Sequence, residues 1–135
     1  MAFVLDCSMT MAWVFPDEAS ESTDVLRESL VKDSAVVPVL WPIEVGNVLL
    51  AATRRGRITE EDWPRIRDDL EALPIDIDLE SCARVLDAVL PIANEHELSV
   101  YDAIYLELAL RLGLPLATLD QKLTTAGKAA GVEVL

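Results

Sequence analysis

Short apolar runs alternate along the chain with longer stretches in which apolar residues recur every three or four positions. The runs Ala2 to Leu5, Ala35 to Val37, Ile75 to Ile77, Leu116 to Leu119 and Val132 to Val134 are brief and rich in Val, Ile and Leu. They predict five strands buried on both faces. Between them the period changes to that of a helix. In Pro42 to Arg55, Val45, Val48, Leu49 and Ala52 fall at i, i+3, i+4 and i+7, and Gly56 offers a stop. Thr59-Glu60-Glu61-Asp62 opens a further helix whose apolar side is marked by Trp63, Ile66 and Leu70. Leu79 to Glu95, Ser99 to Leu112 and Gln121 to Ala130 give three more, and a helix starts near Ser8. Strands alternating with helices predict an α/β fold, a parallel sheet with right-handed crossovers and helices on both faces. Such sheets bind ligands at the carboxyl ends of their strands.

Four acids map to that edge. Asp6 directly follows the first strand and Asp120 the fourth, Glu44 lies in the first turn of the helix after the second strand, and Asp102 opens the helix that leads into the fourth. Asn47, three residues after Glu44, shares its helix face. Each acid has a structural explanation when taken singly. Asp6 and Asp120 suit helix caps, Ser99 and Asp102 have the spacing of a capping box, and Glu44 suits a helix dipole. Their convergence is what needs another account. Gathered carboxylates repel one another and resist desolvation unless a cation is present, and hard oxygen donors select Mg²⁺ or Mn²⁺. Such an ion lowers the pKa of a bound water and stabilises charge in an in-line displacement.

The 135 residues suffice for one domain with a single core, residues 1–135, and a hydrophobic content of 52% with 26% charged residues is globular. Cys7 and Cys82 have only His96 for company, which supports neither a zinc site nor a disulfide framework and reads as two small buried hydrophobes. No nucleotide-binding glycine motif and no Ser-His-Asp or Cys-His arrangement is present. The N-terminus lacks the basic region of a signal peptide and no segment is apolar enough to span a membrane, so a cytoplasmic protein is expected. The net charge of -13 argues against a nucleic-acid partner and suits acids that chelate metal or a basic protein partner. A phosphoacceptor signalling domain also places acids around Mg²⁺, but it pairs adjacent acids after the first strand, where Cys7 stands here, and needs a lysine after the last strand, which Val132-Glu133-Val134 lacks.

The stretches FVLDCSMTMAW, WPIEVGNVLL and LSVYDAIYLELALRLGLPLATLD, in this order and over this length, resemble the PIN-domain nucleases, and among them the VapC-like toxins of toxin–antitoxin pairs. The resemblance spans essentially the whole chain. It implies a three-layer α/β/α sandwich around a five-stranded parallel sheet in order 3-2-1-4-5. It makes Asp6, Glu44, Asp102 and Asp120 an acidic quartet that is both catalytic and metal-binding, with Ser8, Asn47 and Thr118 supporting it. It also implies Mg²⁺- or Mn²⁺-dependent cleavage of RNA by water, a cognate antitoxin and a homodimer. The alternative within the same fold is a catalytically inactive module that only binds partners, which typically lacks one or more of the four acids, all present here.

RNA as substrate brings back the charge objection, since the chain stays acidic even with four acids neutralised. Basic residues do cluster, at Arg54, Arg55 and Arg57 after Glu44 and at Lys122 and Lys128 after Asp120. Arg54, Arg55 and Lys122 are the candidate substrate contacts, against a bland reading as compensation of helix C-terminal dipoles. Trp13, Trp41 and Trp63 are able to stack bases, but their placement on apolar helix faces favours core or interface packing.

Overall fold

The structure is a computed structural model that describes residues 1–135. Strands β1 (Ala2–Leu5), β2 (Ser34–Pro38), β3 (Ile75–Asp78) and β4 (Leu116–Ala117) form one parallel sheet in the order β3-β2-β1-β4. The expected fifth strand is reduced to a bridge in which Val134 pairs parallel with Leu116. Its backbone bonds, Leu116 N–H to Glu133 O and Leu135 N–H to Leu116 O, keep it beside β4, where order 3-2-1-4-5 places it. Two residues of β4 leave it nothing longer to pair with.

Helices α1 (Cys7–Val14), α2 (Glu21–Ser29), α3 (Leu40–Arg54), α4 (Trp63–Glu71), α5 (Leu90–His96), α6 (Val100–Leu112) and α7 (Gln121–Ala129) fill the connections. The central strand β1 supplies Phe3, Val4 and Leu5, and α6 supplies Tyr105, Leu106 and Leu108, to one core of 21 buried residues. Burying side chains of this kind is worth roughly 1.5–3 kcal/mol each. Helix α6 packs on β1, β2 and β4 together, so its N-terminal half is held over the carboxyl ends of the central strands.

Several expectations need correction. β3 is an edge strand with Asp76 and Ile77 exposed, so it is not buried on both faces. β4 stops at Ala117, which leaves Asp120 three residues beyond the strand as the cap of α7 rather than directly after it. α3 begins at Leu40, so Glu44 lies past the first turn and gains little from the helix dipole. The single helix expected over Leu79 to Glu95 is broken into a 3₁₀ turn (Ser81–Arg84), a π turn (Val85–Val89) and α5. Pro91 explains this: it has no N–H to donate and crowds the carbonyl of Asp87, so the preceding turn widens and Leu90 N–H reaches Val85 O. α2 was not expected, because its polar ESTDVLRES carries a weak apolar stripe; it is started by Ser20, whose side chain caps Thr23 N–H. Cys82 is exposed, against the reading of both cysteines as buried, while Cys7 is partly buried.

The three tryptophans act inside the fold. Trp41 donates to Thr10 Oγ1 at 2.9 Å, Trp13 to Thr23 O at 2.8 Å and Trp63 to Thr53 Oγ1 at 3.0 Å. No helix is long and apolar enough to cross a membrane.

Candidate active site

Asp6 leaves β1 at its carboxyl end and caps α1, accepting from Met9 N–H at 2.9 Å. A cap is usually exposed, but this one is only 5% accessible. Its burial is tolerated because hydroxyls surround it. Ser8 Oγ donates to it at 2.8 Å, and Thr118 donates a short hydrogen bond to Oδ2 from the end of β4. Each hydroxyl also accepts a backbone N–H, Ser8 from Leu119 at 2.9 Å and Thr118 from Asp120 at 3.0 Å. Ser8 and Thr118 thus tie the ends of β1 and β4 together around one carboxylate.

Asp6, Glu44, Asp102 and Asp120 all line one open cleft of about 420 Å³, with Asn47, Ser8 and Tyr105 in its wall. Glu44 comes from α3 and accepts from the Tyr105 hydroxyl at 2.5 Å. Asp102 sits in the first turn of α6, where Ser99 Oγ accepts its backbone N–H at 3.1 Å, and Asp120 caps α7 through Leu123 N–H at 2.8 Å. Capping and cleft-lining are therefore compatible roles for Asp6 and Asp120, because both helices start at the same sheet edge.

The electrostatics set these acids apart. Burial pushes the Asp6, Glu44 and Asp102 carboxyls above the ordinary range, opposed by their hydrogen bonds. Their neighbours add to it: Asp102 acts on Asp6, both act on Glu44, and Asp120 acts on Asp102. None of the four forms a salt bridge with a lysine or arginine; the charge of Lys122 lies close enough to favour ionised Asp102 and is the nearest compensation. A cluster of hard oxygen donors short of positive charge fits a divalent cation of the Mg²⁺ or Mn²⁺ type. As they stand, no three acids are drawn close enough to share one ion, so its uptake would require them to close in.

The candidate substrate contacts separate. Arg54 and Arg55 are exposed and line a shallow cleft with Leu50 and Ala51 that shares Asn47 with the acid cleft. Arg57 is already paired: it holds Asp17 at 2.6 Å and the cleft-lining Glu18 at 3.0 Å, and lies 3.8 Å over the Phe15 ring. Three ionisable cleft residues were missed by sequence reasoning. Tyr105 stands three residues after Asp102 and was detectable by helix spacing. Glu18 sits in a 3₁₀ turn with no periodic signal. Cys7, beside Asp6, has its thiol pushed up to about 12 by burial and by nearby Glu44, Asp6 and Glu18, which makes it inert as a nucleophile. A second cleft of about 410 Å³, between α3, α4 and β3, is walled by Trp41, Val45, Ile66, Leu70, Ile75 and Ile77 and holds a single acid, Glu71, together with Arg67.

The arrangement has counterparts. The family model described as PIN domain matches residues 3–129. Ribonuclease VapC3 of Pyrobaculum aerophilum is 32% identical over 123 residues, 91% of this chain and 92% of that protein. A solved crystal structure of a protein from the same organism has 27% identity and a TM-score of 0.72, covering 99% of this chain and 83% of that one. A toxin–antitoxin complex from Klebsiella pneumoniae contains a chain of the same fold, at 18% identity and a TM-score of 0.59 over 89% of this chain and 88% of that one. With nearly its whole length matched by the family model and by a relative named VapC, this chain belongs to the PIN-domain family, and within it to the VapC group.

Proposed function

We propose that the chain is a divalent-metal-dependent endoribonuclease, the toxin of a toxin–antitoxin pair. The observation that carries this reading is the single cleft in which Asp6, Glu44, Asp102 and Asp120 face one another without an opposing cation. RNA as substrate is supported by the relative named as a ribonuclease, and an antitoxin by the Klebsiella complex of the same fold. A cytoplasmic location and a second copy of the chain as partner belong to the same reading.

In this role the four carboxylates would hold Mg²⁺ or Mn²⁺, which when bound supplies a water of lowered pKa and charge to offset that developing on phosphate. The chain's own contributions follow from the geometry. Ser8 and Thr118 fix the Asp6 carboxylate against rotation. Asn47 stands where the acid cleft meets the cleft of Arg54 and Arg55, so a phosphate backbone held by the arginines is led to the acids past a neutral side chain. Lys122 places positive charge near Asp102. The wide acidity elsewhere limits nonspecific RNA binding and suits a basic antitoxin segment.

The test is incubation of the purified protein with total cellular RNA, with Mg²⁺, with Mn²⁺ and with EDTA, followed by mapping of the ends. Metal-dependent products with 5′-phosphate and 3′-hydroxyl ends are expected. RNA left intact with both metals, under conditions where the protein is folded, would overturn the nuclease reading.

A further inference from the structure

Tyr105 is unlike the other hydrogen-bonding aromatics of the chain. Trp13 donates to a backbone carbonyl, and Trp41 and Trp63 donate to threonine hydroxyls, partners that serve packing alone. The Tyr105 hydroxyl donates instead to a carboxylate of the acid cleft, Glu44 Oε1, at 2.5 Å across 61 residues of chain. That contact is the one hydrogen bond the Glu44 side chain makes, so Oε2 is left without a partner. Tyr105 itself is 1% exposed and wedged into the core, so its hydroxyl has a fixed position. It lies one helical turn after Asp102 on α6, and it therefore joins the helix of one cleft acid to the side chain of another.

We propose that Tyr105 is the positioning residue of the cleft: by committing one oxygen of Glu44, it leaves the other as the single oxygen that Glu44 offers a divalent cation. This rests on the metal-dependent reading above and deepens it. The consequence is one of cation choice. Mg²⁺ demands compact octahedral geometry, whereas Ca²⁺ accepts six to eight oxygens and welcomes a carboxylate that binds through both. A tethered Glu44 favours the smaller ion, and a released Glu44 makes the site more tolerant of the larger one.

The experiment compares the full chain with its Tyr105→Phe variant, which keeps the ring and removes the donor. Calorimetric titration with Mg²⁺, Mn²⁺ and Ca²⁺, each without RNA, is the readout. Loss of a group that orients a metal ligand typically weakens affinity about 10–100-fold. We expect a loss in that range for Mg²⁺, a smaller loss for Ca²⁺, and hence a changed Ca²⁺ to Mg²⁺ ratio. A purely structural hydroxyl would lower thermal stability and leave that ratio where it was, which would overturn the inference while sparing the metal site. A parent protein that binds none of the three ions would overturn the metal-dependent reading itself. Should Tyr105→Phe not fold, 3-fluorotyrosine in the otherwise native chain reports the same point, since the only tyrosines are Tyr101, 62% exposed, and Tyr105. Mg²⁺ should then move the buried fluorine resonance; its staying still while Mg²⁺ binds would refute the role.

Discussion

The two halves of α6 carry carboxylates in opposite circumstances. Its N-terminal half faces the acid cleft, where Asp102 and Tyr105-bound Glu44 have no paired cation and are pushed above the ordinary range by burial. Five residues after Asp102, Glu107 is 3% exposed and fully matched. Arg84 Nε reaches it at 2.6 Å and Arg111 Nε at 2.9 Å. Arg111 also grips Asp78 at the end of β3 with both terminal nitrogens, at 2.8 and 3.1 Å, and this guanidinium holds the Asp78 carboxyl below its ordinary range. Where the chain needs acids for structure, it supplies arginines in a planar, bidentate pairing. It withholds them from Asp6, Glu44, Asp102 and Asp120; the one arginine pairing with a cleft residue is Arg57 with Glu18. Carboxylates left unneutralised within reach of one another mark a place where the missing charge comes from outside.

The largest effect expected from this contrast is on catalysis. Asp102→Asn keeps volume and removes charge, so it should cut metal-dependent RNA cleavage by about 10³-fold, the equivalent of the several kcal/mol that a metal ion supplies. Cleavage at the parental rate would show that the unpaired acids are not the active site. The matched end of α6 should respond in stability instead. Arg111→Met leaves Asp78 without a cation, held only by the Ser81 N–H and hydroxyl, and Glu107 with only Arg84, so unfolding in urea should show a loss of about 3 kcal/mol with an unchanged slope. A loss near zero would mean that the arginine network is ornamental.

The contrast also explains how far the sequence could be read. Asp6, Asp102 and Asp120 were legible because each caps or opens a helix at the carboxyl edge of the sheet, whereas Glu44, the fifth residue of α3, was read one turn too close to the helix start. The alternation of strands and helices indicated a parallel sheet, its strand order came from the family resemblance, and the fifth strand was overestimated because a Val-Glu-Val run needs a partner longer than Leu116–Ala117. The arginine network was mostly invisible: Glu107 and Arg111 share the i, i+4 spacing of one helix, but Asp78 and Arg84 lie on two other elements that no spacing links to them. Pro91 showed in the sequence, but the wide turn it forces lies before it, where periodicity still looked helical. Arg57 looked like a member of the Arg54–Arg55 group because nothing in the sequence marks its pairing with Asp17 and Glu18 across 40 residues.

A smaller effect comes from the same Asp102→Asn variant, with the opposite sign. Without metal, ionised Asp102 costs stability in the folded chain, because burial and Asp120 both disfavour its charge. Removing the charge should raise Tm of the metal-free protein by a small amount, on the order of 1–3 °C. The variant that destroys activity should thus be the more heat-resistant one in EDTA, a trade common to active sites. A lower Tm would mean that Asp102 is serving structure, as Glu107 does.

The finest test of the contrast is pH. Asp6, Glu44 and Asp102 have folded values raised above their ordinary 3.8, 4.5 and 3.8. The folded protein therefore binds more protons than the unfolded chain between those values and the raised ones. As pH falls from neutral through the raised values, metal-free stability should rise. Asp78 has the reverse sign: its contribution is present above 3.8 and is lost as pH falls through its lowered value. Metal-free Tm should accordingly pass through a maximum in mild acid. The net charge of -13 gives every surface acid a small share in such a rise, so two variants separate the causes. Asp102→Asn should flatten the rise, and Glu61→Gln, at an exposed position without partners, should leave its shape alone. With saturating Mg²⁺ the maximum should move back toward neutral, because protons and the cation compete for the same oxygens. A maximum that ignores both Asp102→Asn and Mg²⁺ would place the excess negative charge on the general surface rather than in the cleft.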